Sequence, residues 1–344
     1  MKNKMLMMIK VGLGIVIGAF MVVIVVPALA GRDDNSPDSD KLAVENAMLT
    51  GLPRPSSEWR ANAQSFRGGP HPSIAFQSNH VGDNEIYVMN SDGSDQTRLT
   101  FNSRNDRRPD ISPNGEYVVF SSNRITEQNP EGNFEIFVMN SDGSDVRQLT
   151  FNAADNSWSR WSPNGNWIAF HSNVAGNYEI YVIRADGTDL THVTNYPGLD
   201  QFPEWSPDGN QLAIRRDSDL YLIDLHGSNP IQLTAGAMIN QMASWSPDGE
   251  QLAFMSTREG YPSVFVMNAD GSNQANLTPK PDTVPSSMWS SRAPGWSRNG
   301  HYIYFTGLRP ETAVNEKIFV MNADGTSVTQ LTFATGDSAE AAVR

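Results

Sequence analysis

The chain has 344 residues and carries 38 acidic against 25 basic side chains, a net charge of −13 at neutral pH. That balance excludes a phosphate-backbone binder, which needs a basic face, and it argues against electrostatic adhesion to an anionic membrane surface. There is no cysteine, so disulfides and cysteine-linked lipid attachment are both excluded.

The N-terminus reads as an address. Met1-Lys2-Asn3-Lys4 is a short basic head, and Val11 to Val26 is an unbroken apolar run. Pro27-Ala28-Leu29-Ala30-Gly31 then offers Ala-x-Ala for cleavage after Ala30. Residues 1–30 are therefore expected to be a secretory signal peptide, or, if uncleaved, an anchor through residues 5–26, although a span usually needs about 20 apolar residues. Loss of Lys2, Lys4 and Lys10 would leave 22 basic against 38 acidic residues, a net charge of −16. Residues 31–70 read as a flexible linker: "DDNSPDSD" (33–40) is a solvated stretch, and "DKLAVENAML" (40–49) could form a short helix capped by Ser39 or Asp40.

From residue 71 onward one unit is written six times. An apolar run ending in a turn glycine recurs at Val88 to Gly93, Val138 to Gly143, Val182 to Gly187, Leu222 to Gly227, Val266 to Gly271 and Val320 to Gly325. A two-letter stop follows each, at Leu99-Thr100, Leu149-Thr150, Val193-Thr194, Leu233-Thr234, Leu277-Thr278 and Leu331-Thr332, spaced 50, 44, 40, 44 and 54 residues apart. Between the stops stand "SPNGEYVVF" at 112, "SPNGNWIAF" at 162, "SPDGNQLAI" at 206, "SPDGEQLAF" at 246 and the degenerate "SRNGHYIYF" at 297. A period of this length marks a repeat architecture.

The N-x-D-G segments resemble part of a calcium loop, but the spacing rules calcium out. With Gly93 at position 6 of an EF-hand loop, Val88 falls at position 1 and Leu99 at position 12, where oxygen ligands are required. Both glycine motifs are turns instead, Asn or Asp at the first place and a left-handed glycine closing a hairpin. The segments between them, such as "EIYVM" (85–89) and "EIFVM" (135–139), are β-branched and aromatic runs without helical spacing. They are apolar at consecutive positions, so both faces are covered, yet tight hairpins force antiparallel pairing. Small antiparallel sheets sandwiched by copies of themselves are propeller blades. Trp161, Trp205, Trp245 and Trp296 are expected to be core residues of the innermost strands.

The ordered elements W-S-P-D-G-x-x-[IL]-A-F, E-I-Y-V-M-N-x-D-G and x-x-L-T, over residues 74–333, resemble the WD-like repeat of the TolB-type six-bladed propeller; related blades occur in tricorn-type and prolyl-oligopeptidase-type proteins. The resemblance implies a periplasmic or extracellular propeller that binds other macromolecules. TolB also carries an α/β domain ahead of its propeller, whereas about forty residues separate the signal segment from the first blade here, which sets this chain apart from a Tol–Pal role. The expectation is an all-β, six-bladed propeller of four-stranded antiparallel blades over residues 71–344. The first unit begins at Ser73-Ile74-Ala75-Phe76 with no innermost strand before it, so "AEAAV" (339–343) is expected to supply that strand and close the ring. The segment from Trp59 to Phe66 is the competing donor.

No G-x-S-x-G, H-E-x-x-H or Walker glycine loop is present, and His71, His80, His171, His192, His226 and His301 share no repeat position. No catalytic, cofactor or metal residue is assigned. In a four-stranded blade the two glycine corners fall on one face and the variable connections, including 121–133, 255–263, 279–294 and 306–317, fall on the other, where binding usually resides. Asp106, Arg107, Arg108, Arg124, Arg160, Asp200, Arg258 and Arg292 are placed on or beside that face as partner-binding candidates. Solvated arginines paired with nearby carboxylates, and acids serving as loop caps, are the competing reading of the same residues. The function expected is that of a monomeric scaffold for a protein or peptide partner in the envelope. The alternative is a carbohydrate-active lyase or hydrolase in the channel mouth, for which bound Mn, Ca or Zn would speak.

Overall fold

The computed structural model describes residues 73–236, 238–312 and 315–343. The expected signal segment, linker and Trp59–Phe66 donor lie outside them. Among the described residues, six four-stranded antiparallel sheets follow one another along the chain. Blades 2 to 6 run innermost strand, a Ser-Pro-x-Gly corner (Ser-Arg-Asn-Gly in blade 6), second strand, a connection of variable length, third strand, a second glycine corner and a two-residue outermost strand. The innermost strands of blades 2 to 6 are Asp106–Ile111, Asn156–Trp161, Asp200–Trp205, Asn240–Trp245 and Ser290–Trp296. Blade 1 takes its innermost strand, Ser338–Val343, from the other end of the chain, antiparallel to Ile74–Ser78, with Ile74 opposite Val343 and Ser78 opposite Ser338. The ring is clasped by the C-terminal strand.

Consecutive apolar residues are explained by alternation. In the second strand of blade 2, Val118 and Phe120 face blade 1, packing near Ala75, Ile86 and Val88. Val119, between them, faces blade 3 with Ile168 and Phe170. Every wedge between neighbouring blades holds such a core, including the one joining blade 6 to blade 1 through Tyr304, Ile318, Ile74 and Phe76. Trp161, Trp205 and Trp296 close the inner ends of these wedges, each 7% exposed, and Trp245 packs against its wedge core.

The Leu-Thr stop is a hydrogen-bonding device. In all six blades the threonine hydroxyl accepts the N–H of the second residue of the third strand, as Ile136 N–H bonds Thr150 Oγ1 at 2.9 Å. In blades 1 to 4 the same hydroxyl donates to a carboxylate that begins that strand: Glu85, Glu135, Glu179 or Asp219. Blades 5 and 6 carry Ser263 and Lys317 at that place, and Lys317 Nζ turns to the carbonyl of Ala334 at 2.7 Å.

The Asp-Gly corners touch the preceding blade. Gly271 has φ +86°, and a Cβ there would meet the Leu233 carbonyl oxygen at 2.7 Å. Gly271→Ala is therefore expected to cost about 2 kcal/mol, combining left-handed strain with backbone displacement. Chemical denaturation checks this; a loss under about 0.5 kcal/mol would mean the corner is soft.

Candidate binding site: a plugged channel and its loop face

Each innermost strand slips register after its second residue, or in blade 6 after its third. The next residue adopts a left-handed conformation in every blade: Arg108, Trp158, Phe202, Met242, Ala293 and Glu340, with φ between +49° and +59°. Non-glycine residues there cost about 1 kcal/mol each. The bulge offsets part of this by linking blades. Arg108 N–H bonds Gln77 Oε1 at 2.9 Å, Phe202 N–H bonds His171 Nδ1 at 3.2 Å, and Glu340 N–H bonds Thr306 Oγ1 at 2.7 Å.

These six side chains meet at mid-height and plug the channel. Trp158, Phe202, Met242 and Ala293 form a buried cluster, with the Trp158 and Phe202 rings edge to face at 4.6 Å. Arg108 lies over Trp158 at 4.5 Å, and its Nε is 3.5 Å from Glu340 Oε2. His171 lies against Phe202 and Tyr178. Burial, with help from Arg108 and Arg215, pushes its pKa down to about 3. It is a neutral ring whose Nδ1 is committed as an acceptor.

The plug separates two differently charged ends. Toward the corner face, Arg160 Nε donates to Glu204 Oε2 at 3.0 Å, and Asp110 accepts the Trp161 N–H at 2.7 Å. Burial pushes Glu204 up to about 7 and raises Asp110 as well, with Arg160 opposing both shifts. Toward the loop face stand Arg107, Arg215 and Arg292. Arg292 pairs with Glu316 and with Glu340, and Arg215 donates to Gln241 Oε1 at 2.7 Å.

The eight candidate residues thus divide by position. Arg107, Arg108 and Arg292 converge on the loop side of the channel, while Arg160 sits at the corner end, not beside the loop face as expected. Asp106 and Asp200 are fully buried. Arg124 reaches Asp106 at 3.0 Å, and Arg216 grips Asp200 through two bonds of 2.8 and 2.7 Å. Arg258 donates to Asn240 at 3.2 Å and lies over Phe265, and Arg309 donates to Ser291 Oγ at 2.9 Å over Phe319. These four arginines are one device: each ends or just follows a second strand, lies on aromatic rings and braces the start of the innermost strand. Arg216 and Arg309 were missed; an arginine ending or just following the second strand was the available signal. Asp337 accepts Glu316 N–H at 2.8 Å, as Asp155 accepts Phe134 N–H at 3.1 Å, so the equivalent of Asp106 in blade 1 is Ser338.

Thirteen large apolar side chains are exposed among the described residues. Nine, including Val81, Phe101, Ile125, Phe151, Val174 and Leu199, lie in the connections of the loop face. The other four, Val146, Leu190, Ile231 and Val328, sit in or directly before outermost strands. Among the described residues no cluster of three or more metal-ligating side chains occurs, and no helix is long and apolar enough to cross a membrane.

Residues 188–293 match the family described as PD40, TolB beta propeller domain. TolB from Acinetobacter baumannii superposes with a TM-score of 0.66 at 20% identity, covering 82% of this chain and 69% of that one. A putative TolB from Agrobacterium tumefaciens gives 0.57 at 21% identity, covering 77% and 90%. Hydrazine synthase from Kuenenia stuttgartiensis shares the fold at 0.64 and 13% identity, covering 80% of this chain and 47% of that one. No curated protein sequence matches the chain. The repeat, the blade order and the clasp described above make the chain a six-bladed β-propeller, and residues 188–293 are similar to the TolB propeller domain.

Proposed function

We propose that this propeller is an exported binding module whose loop face docks a protein partner in the cell envelope. The observation that carries the reading is the asymmetry of its two ends. The corner face is built from short, uniform turns that pack on one another, whereas the loop face gathers nine exposed large apolar side chains around a channel mouth containing arginines. Exposed apolar groups concentrated on one face of a rigid scaffold are characteristic of interaction surfaces. The apolar segment before residue 30 supports export.

The arginines that brace blades are poor probes of this face. Reversing Arg124 or Arg258 would strip a partner from Asp106 or Asn240 and so perturb the sheet. A combined Phe101→Ser, Ile125→Ser, Phe151→Ser variant tests the face directly. These side chains are 51, 55 and 59% exposed, so each change should stay within about 0.5 kcal/mol in stability. The parent protein is expected to retain an envelope partner in affinity capture, with retention lost in the triple variant and kept in a Val146→Ser, Val328→Ser control. Equal capture by the triple variant would move the interface elsewhere.

A further inference from the structure

On the loop side of the channel, Arg107 makes no ion pair within 4 Å among the described residues. Arg107 is the second residue of the innermost strand of blade 2, and its guanidinium lies over the Phe134 ring, 3.6 Å from the centroid. Its Nε is buried without a hydrogen-bond partner among the described residues. Of the neighbouring arginines, Arg108 forms a long ion pair with Glu340 at 3.5 Å, its own Nε likewise lacking a hydrogen bond, Arg292 pairs with Glu316 and Glu340, and Arg215 donates to Gln241. Arg107 is half-buried with its Nε fully so; an idle buried donor is costly, and the aromatic ring beneath it compensates only part of that cost. Burial and repulsion from Arg108 push its pKa down. The site is therefore a fork held by a platform, with its donors unspent.

We propose that Arg107 is the seat of a carboxylate that enters the channel from the loop end. A guanidinium presents two parallel N–H donors at the spacing of the two carboxylate oxygens. Charge selects a monoanion over a dianion. Glu340 beside Arg108 and Asp155 near Arg107 already offset much of the positive charge, so the second charge of a dianion would meet repulsion from both carboxylates. Tyr178 adds a neutral hydroxyl beside the pair, because burial holds its pKa above the ordinary value. The seat does not depend on the docking reading: a free organic acid and an acid carried on a partner present the same two oxygens.

The test uses the 344-residue chain and titrates it at constant ionic strength with four probes. These are sodium propionate, an acetylated tetrapeptide with a free C-terminal carboxylate, the same peptide as its amide, and inorganic phosphate. Trp158, in contact with Arg108, supplies a fluorescence readout, and calorimetry supplies a second. Propionate is expected to give a saturable change, with affinity reduced about ten-fold or more in Arg107→Gln. That variant should melt close to the parent, since no carboxylate is orphaned by it. A peptide acid that binds more tightly than both propionate and its own amide identifies a partner-borne source. A peptide acid no better than propionate identifies a free acid. Both outcomes support the seat. Phosphate binding more tightly than propionate would overturn the carboxylate assignment. Absence of a saturable response to either carboxylate, or the same affinity in Arg107→Gln, would overturn the seat itself. Should Arg107→Gln fail to fold, the propionate titration and the acid-against-amide comparison on the parent protein decide alone: no propionate response together with equal acid and amide binding overturns it.

Discussion

Deleting residues 336–344 is expected to lower the melting temperature by more than about 10 °C, or to leave the chain unable to hold its ring. Ser338–Val343 forms the innermost strand of blade 1 although it lies some 260 residues from its partner in sequence. Its removal strips Ile74–Ser78 of one ladder, each hydrogen bond contributing about 1 kcal/mol net. It uncovers the wedge between blades 6 and 1, where Ala341 and Val343 pack with Tyr304 and Ile74, and it leaves a bare strand edge. It also withdraws Glu340, which stands between Arg108 and Arg292, and Asp337, which caps Glu316. Together these losses are on the order of 5 kcal/mol, and at about 2–4 °C per kcal/mol for a domain of this size the shift exceeds 10 °C. Glu340→Gln separates the parts, because it keeps the strand and removes the charge. Thermal unfolding followed by near-UV circular dichroism reads both variants; a truncated chain melting within about 2 °C of the parent would mean that the clasp holds nothing.

That clasp was legible because the first unit lacked an innermost strand and the last unit overran its stop by just enough residues. The blades were legible for a similar reason. Ser112-Pro113-Asn114-Gly115 and Asn140-Ser141-Asp142-Gly143 dictate turns through local backbone chemistry, and six copies fix the register of everything between them. The plug was not legible. Left-handed bulges are ordinarily announced by glycine or asparagine, whereas here they fall on Arg108, Trp158, Phe202, Met242, Ala293 and Glu340, which share no chemical type. What imposes the conformation is the crowding of six strands around one axis and the bond each bulge can offer the neighbouring blade, as between Phe202 and His171. Both are properties of the closed ring. The arginines illustrate the same limit. Arg107 and Arg124 look alike in a linear reading, yet a few ångströms of sheet geometry give Arg124 to a buried aspartate and leave Arg107 over a phenyl ring at the channel mouth.

The repeated threonine yields the second large effect. Thr150→Val keeps the shape of the side chain and removes its hydroxyl. Ile136 N–H then loses its acceptor, and the buried Glu135 carboxylate loses one of the donors that hold it, Asn152 N–H and Asn156 Nδ2 remaining. An unsatisfied buried amide and a weakened buried carboxylate together are expected to cost about 2–4 kcal/mol, far above a neutral surface change. The loss should depend on pH in a definite sense. Burial already raises the Glu135 pKa to about 7, against which the Thr150 hydrogen bond acts as the largest opposing influence. Without that bond the folded-state pKa moves higher still. A carboxylate whose folded pKa lies above its unfolded value near 4.5 binds more protons when folded, so its contribution is unpenalised below about pH 4.5 and worsens as pH rises through the folded pKa. The deficit of Thr150→Val relative to the parent should therefore be smallest near pH 5 and grow toward pH 8, by about 1 kcal/mol or more. Thr150→Ser, which keeps the hydroxyl, should show neither the full loss nor the slope. Urea unfolding of the three proteins across that range measures it, and a deficit that shrinks with rising pH would place the charge of Glu135 on the stabilising side of the blade.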